Sequence, residues 1–445
     1  MKLRYTIIYI CLALMSAPAL LGQSLEWRSG SGVADVLTEG VPTSSGLNAV
    51  YVARSTSGLS AAFTPASGNP AGVKWMRYSS LGGGYAEDVP ARVDGPASVV
   101  GNPQGDMGYI VEDGTDRYYF WLVDYSRHPF SITDITENPE QECGQVALDV
   151  TGQGDEIAYY SINGRRMTLS RDIKLTYNTL EWDSEQTIYR PVVAEETLEY
   201  LHPTIHAMAP LCATSFTIEG DKFLQQWGLA EGVTSSEFQP RSVACHTDAV
   251  QAQREDADNE VKPSDGGATL GGSAPCEVNF KAEVTDAAIF REWQFARDSE
   301  FENITLRMSE LEFDYSFIEE GTTYVRFYCA NADASCEAYG DTYDISIGTS
   351  SLKCPNAFSP FNEDGVNDLW KVTYSSIISF ECHIYNRRGK EMCSFTDPSQ
   401  GWDGKYGGKF VPAGAYFYVI KAKGADGKNY NLSGDINIVD YKSTL

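Results

Sequence analysis

Apolar residues along this chain recur chiefly at every second position. They form short runs closed by Gly, Asn, Asp and Pro, which is the pattern of strands that bury one face. Leu59, Ala61 and Phe63 alternate with polar or small neighbours, and so do Val278, Phe280, Ala282 and Val284. A last alternating stretch runs from about Leu432 to Val439, whereas Ala415 to Ile420 is continuously aromatic and β-branched, as a buried strand is. Further strands are predicted at Val146 to Val150, Ile157 to Ile162, Met167 to Leu169 and Ile173 to Tyr177, with Asn163-Gly164 as a hairpin turn between two of them. Leu180 to Trp182 and Cys212 to Phe223 also read as β-like. A helical period fits only Glu195 to Leu201, one short helix at most. The expected fold class is all-β.

A length of 445 residues accommodates about two to four domains. In the first, Trp75 lies on a central strand, and Asp106-Met107-Gly108-Tyr109 resembles the tyrosine corner of immunoglobulin-like sandwiches. Tyr118 to Tyr125 would be its closing strand, so residues 23–126 are expected to form an immunoglobulin-like domain. Residues 127–250 are expected to form a second β-sandwich, with Cys143 and Cys212 as a candidate bridge; whether 23–250 is one domain or two stays open. Residues 251–273 turn acidic and then glycine-rich, which reads as a linker. Residues 274–350, with Trp293 and the run Tyr324 to Cys329, resemble a polycystic-kidney-disease-like sandwich, although Ala296-Arg297-Asp298 stands where Gly-Asp-Gly is usual. One pair among Cys276, Cys329 and Cys336 is expected to bridge there.

The last ninety or so residues carry the most specific pattern. Pro355-Asn356-Ala357-Phe358-Ser359-Pro360 is followed by the turn Asn362-Glu363-Asp364-Gly365-Val366-Asn367-Asp368. Then come Asn386-Arg387-Arg388-Gly389, with Gly389 suited to a short hairpin loop, Gly401-Trp402-Asp403-Gly404, and Gly414-Ala415-Tyr416. Cys382 and Cys393 would face each other across that hairpin. The ordered set over 354–445 resembles the gliding motility-associated C-terminal domain, the type B sorting domain of the type IX secretion system of Bacteroidota. The resemblance implies a β-sandwich sorting module preceded by immunoglobulin-like modules, recognition by the outer-membrane type IX translocon, and delivery to the cell surface or medium. It implies that Pro355, Asn356, Phe358, Ser359, Pro360, Gly365, Asn386, Arg387, Gly389, Trp402, Asp403, Gly404, Gly414 and Tyr416 carry the sorting motif.

Two readings compete for the acidic turn. Asn362, Asp364, Asn367 and Asp368 form a chain of Asx turns, or they offer oxygens to a structural calcium ion, although their spacing departs from the EF-hand pattern. No other cofactor is expected.

At the other end, Lys2 and Arg4 precede an apolar run from Tyr5 to Met15 and then small residues to Gly22, which reads as a secretory signal peptide over 1–22. No later stretch is apolar enough to span a bilayer as a helix. Loss of that leader makes the formal charge of −27 more negative still, which argues against nucleic acid or an anionic membrane as partner. Of ten cysteines Cys11 lies in the leader, so an odd number enters an oxidising compartment and at least one thiol has no intramolecular partner.

The search for chemistry is negative. His202 and His206 would share a zinc ion only on a helix, and Pro203 lies between them. Cys245 and His246 are adjacent, so on a strand they point to opposite faces. No Gly-x-Ser-x-Gly elbow or phosphate loop is present. Trp121, Trp182 and Trp402 are candidate sugar-stacking rings, with core tryptophan as the commoner fate. The sequence therefore reads as a non-enzymatic, exported string of β-sandwiches acting as an adhesin or a structural and interaction component, with a protein or glycan ligand. The alternatives are a surface hydrolase with an N-terminal catalytic β-domain, and an accessory subunit of the gliding or secretion machinery.

Overall fold

The computed structural model describes residues 23–30, 32–253, 257–262, 270–362 and 364–440; the expected leader 1–22 lies outside them. The described chain is almost entirely β. Its residues cluster into two compact units. One holds the described residues up to Asn178 with Val193–Met208 and Thr214–Phe238; the other holds Thr179–Val192, Ala209–Ala213 and Gln239 onward.

The first unit opens with a sandwich of two sheets. Ser24–Ser29, Leu59–Thr64 and Ala97–Gly101 are neighbours in one; Ala49–Ala53, Asp116–Asp124, Met107–Asp113 and Lys74–Tyr78 are neighbours in the other. Trp75 is buried and its indole N–H donates to Ser98 Oγ on the facing sheet at 3.1 Å. The Tyr109 hydroxyl donates to the Gln104 carbonyl at 2.9 Å, the upstream bond of a tyrosine corner.

Ala49–Ala53 is buried at all five positions, which a sandwich strand with one wet face cannot be. Ala49, Tyr51 and Ala53 point into the sandwich core with Phe63, Trp75 and Phe120. Val50 and Val52 point the other way, into a second core with Tyr78, Trp121 and Val123. That second core is completed by Ile157, Tyr159 and Leu169 of the hairpin Ile157–Tyr160/Arg166–Leu169 and by Phe223 of the helix Lys222–Gln226. A continuous apolar run of four to six residues is what a strand covered on both faces requires.

Residues 131–234 build the next module, with sheets ordered Ser131–Glu137, Gln145–Gln153, Thr204–Met208 and Ile188–Leu198, Ile173–Asp183, Thr217–Glu219, Gly232–Thr234. Val146, Leu148, Ile173, Leu175, Phe216 and Ile218 form its core. Glu195 to Leu198, expected to be helical, belong to the long strand Ile188–Leu198, whose exposed and half-buried residues largely alternate. The helix forms instead at Lys222–Gln226, starting at the end of the β-like stretch Cys212 to Phe223, which itself holds the strand Thr217–Glu219. Asp221 caps it by accepting from the Leu224 amide at 3.0 Å, a local signal stronger than the apolar periodicity around it.

In the second unit, Cys245–Gln251, Cys276–Val284 and Glu312–Phe317 face a five-stranded sheet ordered Leu270–Gly272, Glu337–Ile347, Gly321–Ala330, Phe290–Ala296, Ile304–Met308. Phe280, Trp293, Phe295, Val325 and Phe327 fill the space between. The stretch expected as a linker contributes structure: Leu270–Gly272 pairs with Glu337–Ile347, and the Asn259 amide donates to the carbonyls of Val372 and Pro398 at 2.7 and 2.8 Å.

The expected cysteine pairings do not form. Cys143 and Cys336 are each in a disulfide, but Cys212 and Cys329 carry thiols, so neither Cys143–Cys212 nor a bridge to Cys329 exists. Spacing alone says which cysteines share a module and nothing about which Cβ vectors meet. No helix among the described residues is long and apolar enough to cross a membrane.

Candidate functional site

The C-terminal module is a sheet ordered Ala357–Phe358, Asn429–Ile438, Gly414–Gly424, Ile377–Tyr385, Glu391–Phe395, folded over a core that includes Trp370, Cys382, Ile384, Trp402, Tyr416, Ile420 and Ile436. The residues singled out in sequence are the ones that fasten this core at its edges. The Pro355 carbonyl accepts from the Trp370 indole at 2.8 Å, and the Asn356 carbonyl accepts from the Asn437 amide at 2.9 Å. Phe358 is buried against Trp402, with ring centroids 5.6 Å apart. The Ser359 amide donates to the Asn367 carbonyl at 2.9 Å, closing the acidic turn beneath Pro360. The Trp402 indole donates to the Lys405 carbonyl at 3.0 Å, and Asp403 Oδ1 accepts from the Lys405 amide at 2.9 Å. Tyr416 packs edge-on against Trp402 at 5.1 Å and donates its hydroxyl proton to the Pro412 carbonyl at 2.9 Å.

At the hairpin tip Asn386 Oδ1 accepts from the amides of Arg388 and Lys390, at 2.9 and 3.1 Å, while Gly389 takes φ +76°. The Arg387 guanidinium lies beside Gly414, which takes φ +138°. Cys382 and Cys393 are offset across this hairpin: Cys382 stands opposite Phe395 and Cys393 opposite Ile384, both as thiols. Of this two-residue offset one residue comes from the bulge at Ile384/Tyr385 and one from the register set by the loop, neither of which the sequence announces.

Gly404 combines φ +72° with a close approach, since a Cβ there would lie 2.8 Å from Pro360 Cγ. Gly404→Ala is therefore expected to cost about 2 kcal/mol, from left-handed backbone strain and displacement of the Pro360 ring. Thermal unfolding of the purified chain measures it, and an unchanged transition in this module would refute it.

Three of the four candidate calcium ligands bond to one another or to the backbone, and Asp368 Oδ1 is buried without a hydrogen-bond partner among the described residues. Asn362 Nδ2 donates to Asp364 Oδ2 at 2.7 Å, Asp364 Oδ1 accepts from the Val366 amide at 2.8 Å, and Asp368 Oδ2 accepts from the Gly365 amide at 2.7 Å. Asn367 takes φ +58°, a conformation asparagine tolerates. Among the described residues no group of three or more His, Cys, Asp and Glu side chains is placed to hold a metal ion.

On the outer face of the same sheet His383 lies between two carboxylates, Nδ1 2.9 Å from Glu391 and Nε2 3.0 Å from Glu381. Both ring nitrogens meet acceptors, which the imidazolium alone can satisfy. Hydrogen bonds to Glu381 and then Glu391 raise its pKa above the ordinary value. The group's folded pKa is raised, so its small contribution to stability is complete below about pH 6.5 and is lost as pH rises through the folded value. NMR titration of His383 is expected to give an elevated pKa that falls in the Glu381→Gln/Glu391→Gln variant; a midpoint unchanged by that variant would contradict it.

The third sandwich presents a different surface. On its five-stranded sheet Glu292, Tyr328 and Tyr339 stand in one cross-strand row, the two tyrosine rings 5.2 Å apart. Arg326 lies 4.1 Å from the Phe301 ring and 4.6 Å from Tyr339, and its Nε donates to Gln294 Oε1 at 2.9 Å. Arg307 pairs with Glu292, and Phe290 is half exposed beside a shallow pocket it lines with Arg291, Glu292, Tyr328 and Ala334. Tyrosines with one face covered and the edge wet are suited to contact a partner. Alternation of the strands marks these positions as outward, but the sequence gives no sign that three strands align them.

The other chemistry-bearing residues separate. His206 lies on the strand Thr204–Met208, so His202 and His206 do not share a helical face; His202 packs tilted against the Tyr200 ring. Cys245 and His246 do point apart, His246 onto the Trp182 ring at 3.9 Å. Trp121 and Trp402 are core residues, which removes two of the three tryptophans considered for sugar stacking.

Residues 352–438 match the family model described as the CHU_C type IX secretion signal domain, and residues 135–235 match the fibronectin type III domain model. The C-terminal match marks the chain for export to the cell surface or the extracellular space through the type IX machinery. Similar solved structures include a tetra-tandem repeat from the extending region of a large adhesion protein, at 12% identity and TM-score 0.21, covering 86% of this chain and 95% of that one. Fibronectin(III)-like modules of Clostridium thermocellum CbhA match at 11% identity and TM-score 0.17, over 40% of this chain and 95% of that one. Dimeric latent PorU from Porphyromonas gingivalis matches at 11% identity and TM-score 0.15, over 73% of this chain and 35% of that one. No curated protein matches the chain.

Proposed function

We propose that this exported chain, which ends in a type IX secretion signal domain, works as an adhesion or structural component of the cell surface. The reading assigns recognition by the outer-membrane translocon to the module 354–445, and contact with a protein or glycan partner to the sandwiches before it. The observation that carries it is the order of modules: β-sandwiches, a fibronectin type III match among them, placed ahead of a secretion signal. Sandwich modules hold their loops and sheet faces on rigid frames, so binding is a matter of surface composition. The surface best equipped is the row of Glu292, Tyr328 and Tyr339 on the third sandwich, with Phe290 beside it and Arg326 against the Tyr339 ring.

The test compares cells displaying the intact chain with cells displaying Phe290→Ser/Tyr339→Ser. Both residues are about half exposed, so surface delivery should be equal. Adhesion to protein-coated and glycan-coated supports is expected to fall about tenfold in the variant, the effect of losing aromatic anchors. Equal adhesion would move the site elsewhere on the chain, and adhesion undiminished by deletion of residues 24–350 would overturn the adhesive role itself.

A further inference from the structure

Among the cysteines that carry thiols, two meet. Cys245 begins the strand Cys245–Gln251, and Cys329 lies near the end of Gly321–Ala330, in the opposite sheet of the third sandwich. Their separation in sequence is large, yet the two side chains are near enough to shift each other, Cys245 upward and Cys329 downward. Three further observations fix the approach. Cys329 stands opposite Ala338 on Glu337–Ile347, two residues before Gly340. At Gly340 the strand carrying Cys245 comes so close that a Cβ would lie 2.5 Å from Thr247 Cγ2. Thr247, two residues beyond Cys245 and so on the same face, accepts from the Asp341 amide and the Tyr343 hydroxyl, both at 3.0 Å. The same two thiols, after burial, push the Tyr189 phenol up to about 12, which places that ring beside the pair.

We propose that Cys245 and Cys329 are a redox site: on export they close to a disulfide that staples the first strand of the third sandwich to the facing sheet. The inference is independent of which ligand the chain binds. Its oxidant is a disulfide of the exporting compartment, carried by a thiol–disulfide oxidoreductase or a small thiol. Cys245 is half-buried and Cys329 fully buried, so Cys245 is the sulfur an oxidant reaches. Its thiolate attacks the oxidant's disulfide, forming a mixed disulfide and releasing one thiolate. The Cys329 thiolate then attacks Cys245 Sγ, forming the intramolecular bond and releasing the second. Two electrons pass to the oxidant, and the two protons from Cys245 and Cys329 end on its two thiols.

The environment favours the second step. The Cys245 hydrogen bond, followed by a backbone bond from Ala338, holds the Cys329 thiol below the usual range against its burial, while Cys245 is raised. A thiolate poised behind an accessible partner is the arrangement that resolves a mixed disulfide. The other cysteine neighbours differ: Cys382 and Cys393 are two residues out of register across their hairpin.

The experiment uses the full chain, folded and incubated with excess glutathione disulfide, then quenched in acid, denatured, alkylated with N-ethylmaleimide and mapped by mass spectrometry without reductant. The expected product is one cross-linked species joining the Cys245 and Cys329 peptides, in more than half of the molecules, which separates on reduction. Recovery of both peptides as maleimide adducts, of either as a stable glutathione adduct, or of either joined to a different cysteine would each overturn the proposal.

Discussion

Cells that make the chain truncated before Cys354 are expected to lose surface exposure of it altogether, while cells making the full chain present it to external protease. The matched signal domain begins at residue 352, so the truncation removes it almost whole. Loss of export has a second cause to be kept apart from the first. The secretion module supports the sandwich before it: the Ser376 amide donates to Ser273 Oγ at 2.7 Å, the Glu320 amide donates to the Ala425 carbonyl at 3.1 Å, and Ala425 packs into the third sandwich's core. Truncation strips those partners. The truncated chain is therefore recovered from the cell and digested with trypsin. A resistant core combined with retention inside the cell assigns the loss to the missing signal. Surface exposure undiminished by truncation would refute the assignment of export to this module.

The largest expected loss of stability comes from Asp221→Ala. Arg171 and Asp221 are both fully buried, with Nη1 3.3 Å from Oδ2. Arg171 also donates to the His128 carbonyl, and its Nε has no acceptor. Asp221 accepts from the Tyr125 hydroxyl at 2.9 Å and from the Leu224 amide at 3.0 Å. The substitution thus strands a buried guanidinium, uncaps the helix and leaves a phenol without its acceptor. About 3–5 kcal/mol is expected by denaturant unfolding. Arg171→Met/Asp221→Ser removes the charge and keeps a capping oxygen, so it should recover most of that loss. A single variant of near wild-type stability, or a double variant no better than the single, would contradict this account.

Acid should protonate Asp221 and remove the ionic member of this pair without destabilising the fold through that group. Desolvation pushes the Asp221 carboxyl up and the Arg171 guanidinium down. Because the folded pKa of Asp221 is raised, its term favours the folded state as pH falls through that value, and the gain is complete below the unfolded value of about 3.9.

What could be read in the sequence follows from the range of the interactions. Alternation is local, so strands such as Cys276–Val284 and the hairpin at Gly389 were legible from neighbouring residues. Part of the C-terminal pattern was legible because its residues close local turns, as Asn386 does with Arg388 and Lys390, whereas the contacts of Pro355, Asn356 and Phe358 reach across the module. Arg171 and Asp221 lie fifty residues apart, and no local pattern ties an arginine between two strands to a helix cap. The cysteines failed for the same reason: Cys329 meets Cys245 across two sheets, not the cysteines nearest in its own module. Glu195 to Leu198 was misread because charged and apolar residues spaced for one helical turn also alternate in a half-exposed ribbon. The row on the third sandwich needed the register of three strands before Glu292, Tyr328 and Tyr339 became neighbours.

The strand Ala49–Ala53, covered on both faces, sets the size of what melts. Heating cannot loosen the hairpin and helix that cover Val50, Val52 and Trp121 without wetting an apolar sheet, and the first sandwich cannot open without undoing the seat of that hairpin. The two should therefore denature as one calorimetric transition, and limited proteolysis should not release the opening sandwich as a soluble fragment. For anyone recombining these modules, the portable block extends through the helix at Lys222–Gln226 and does not stop where the first sandwich ends.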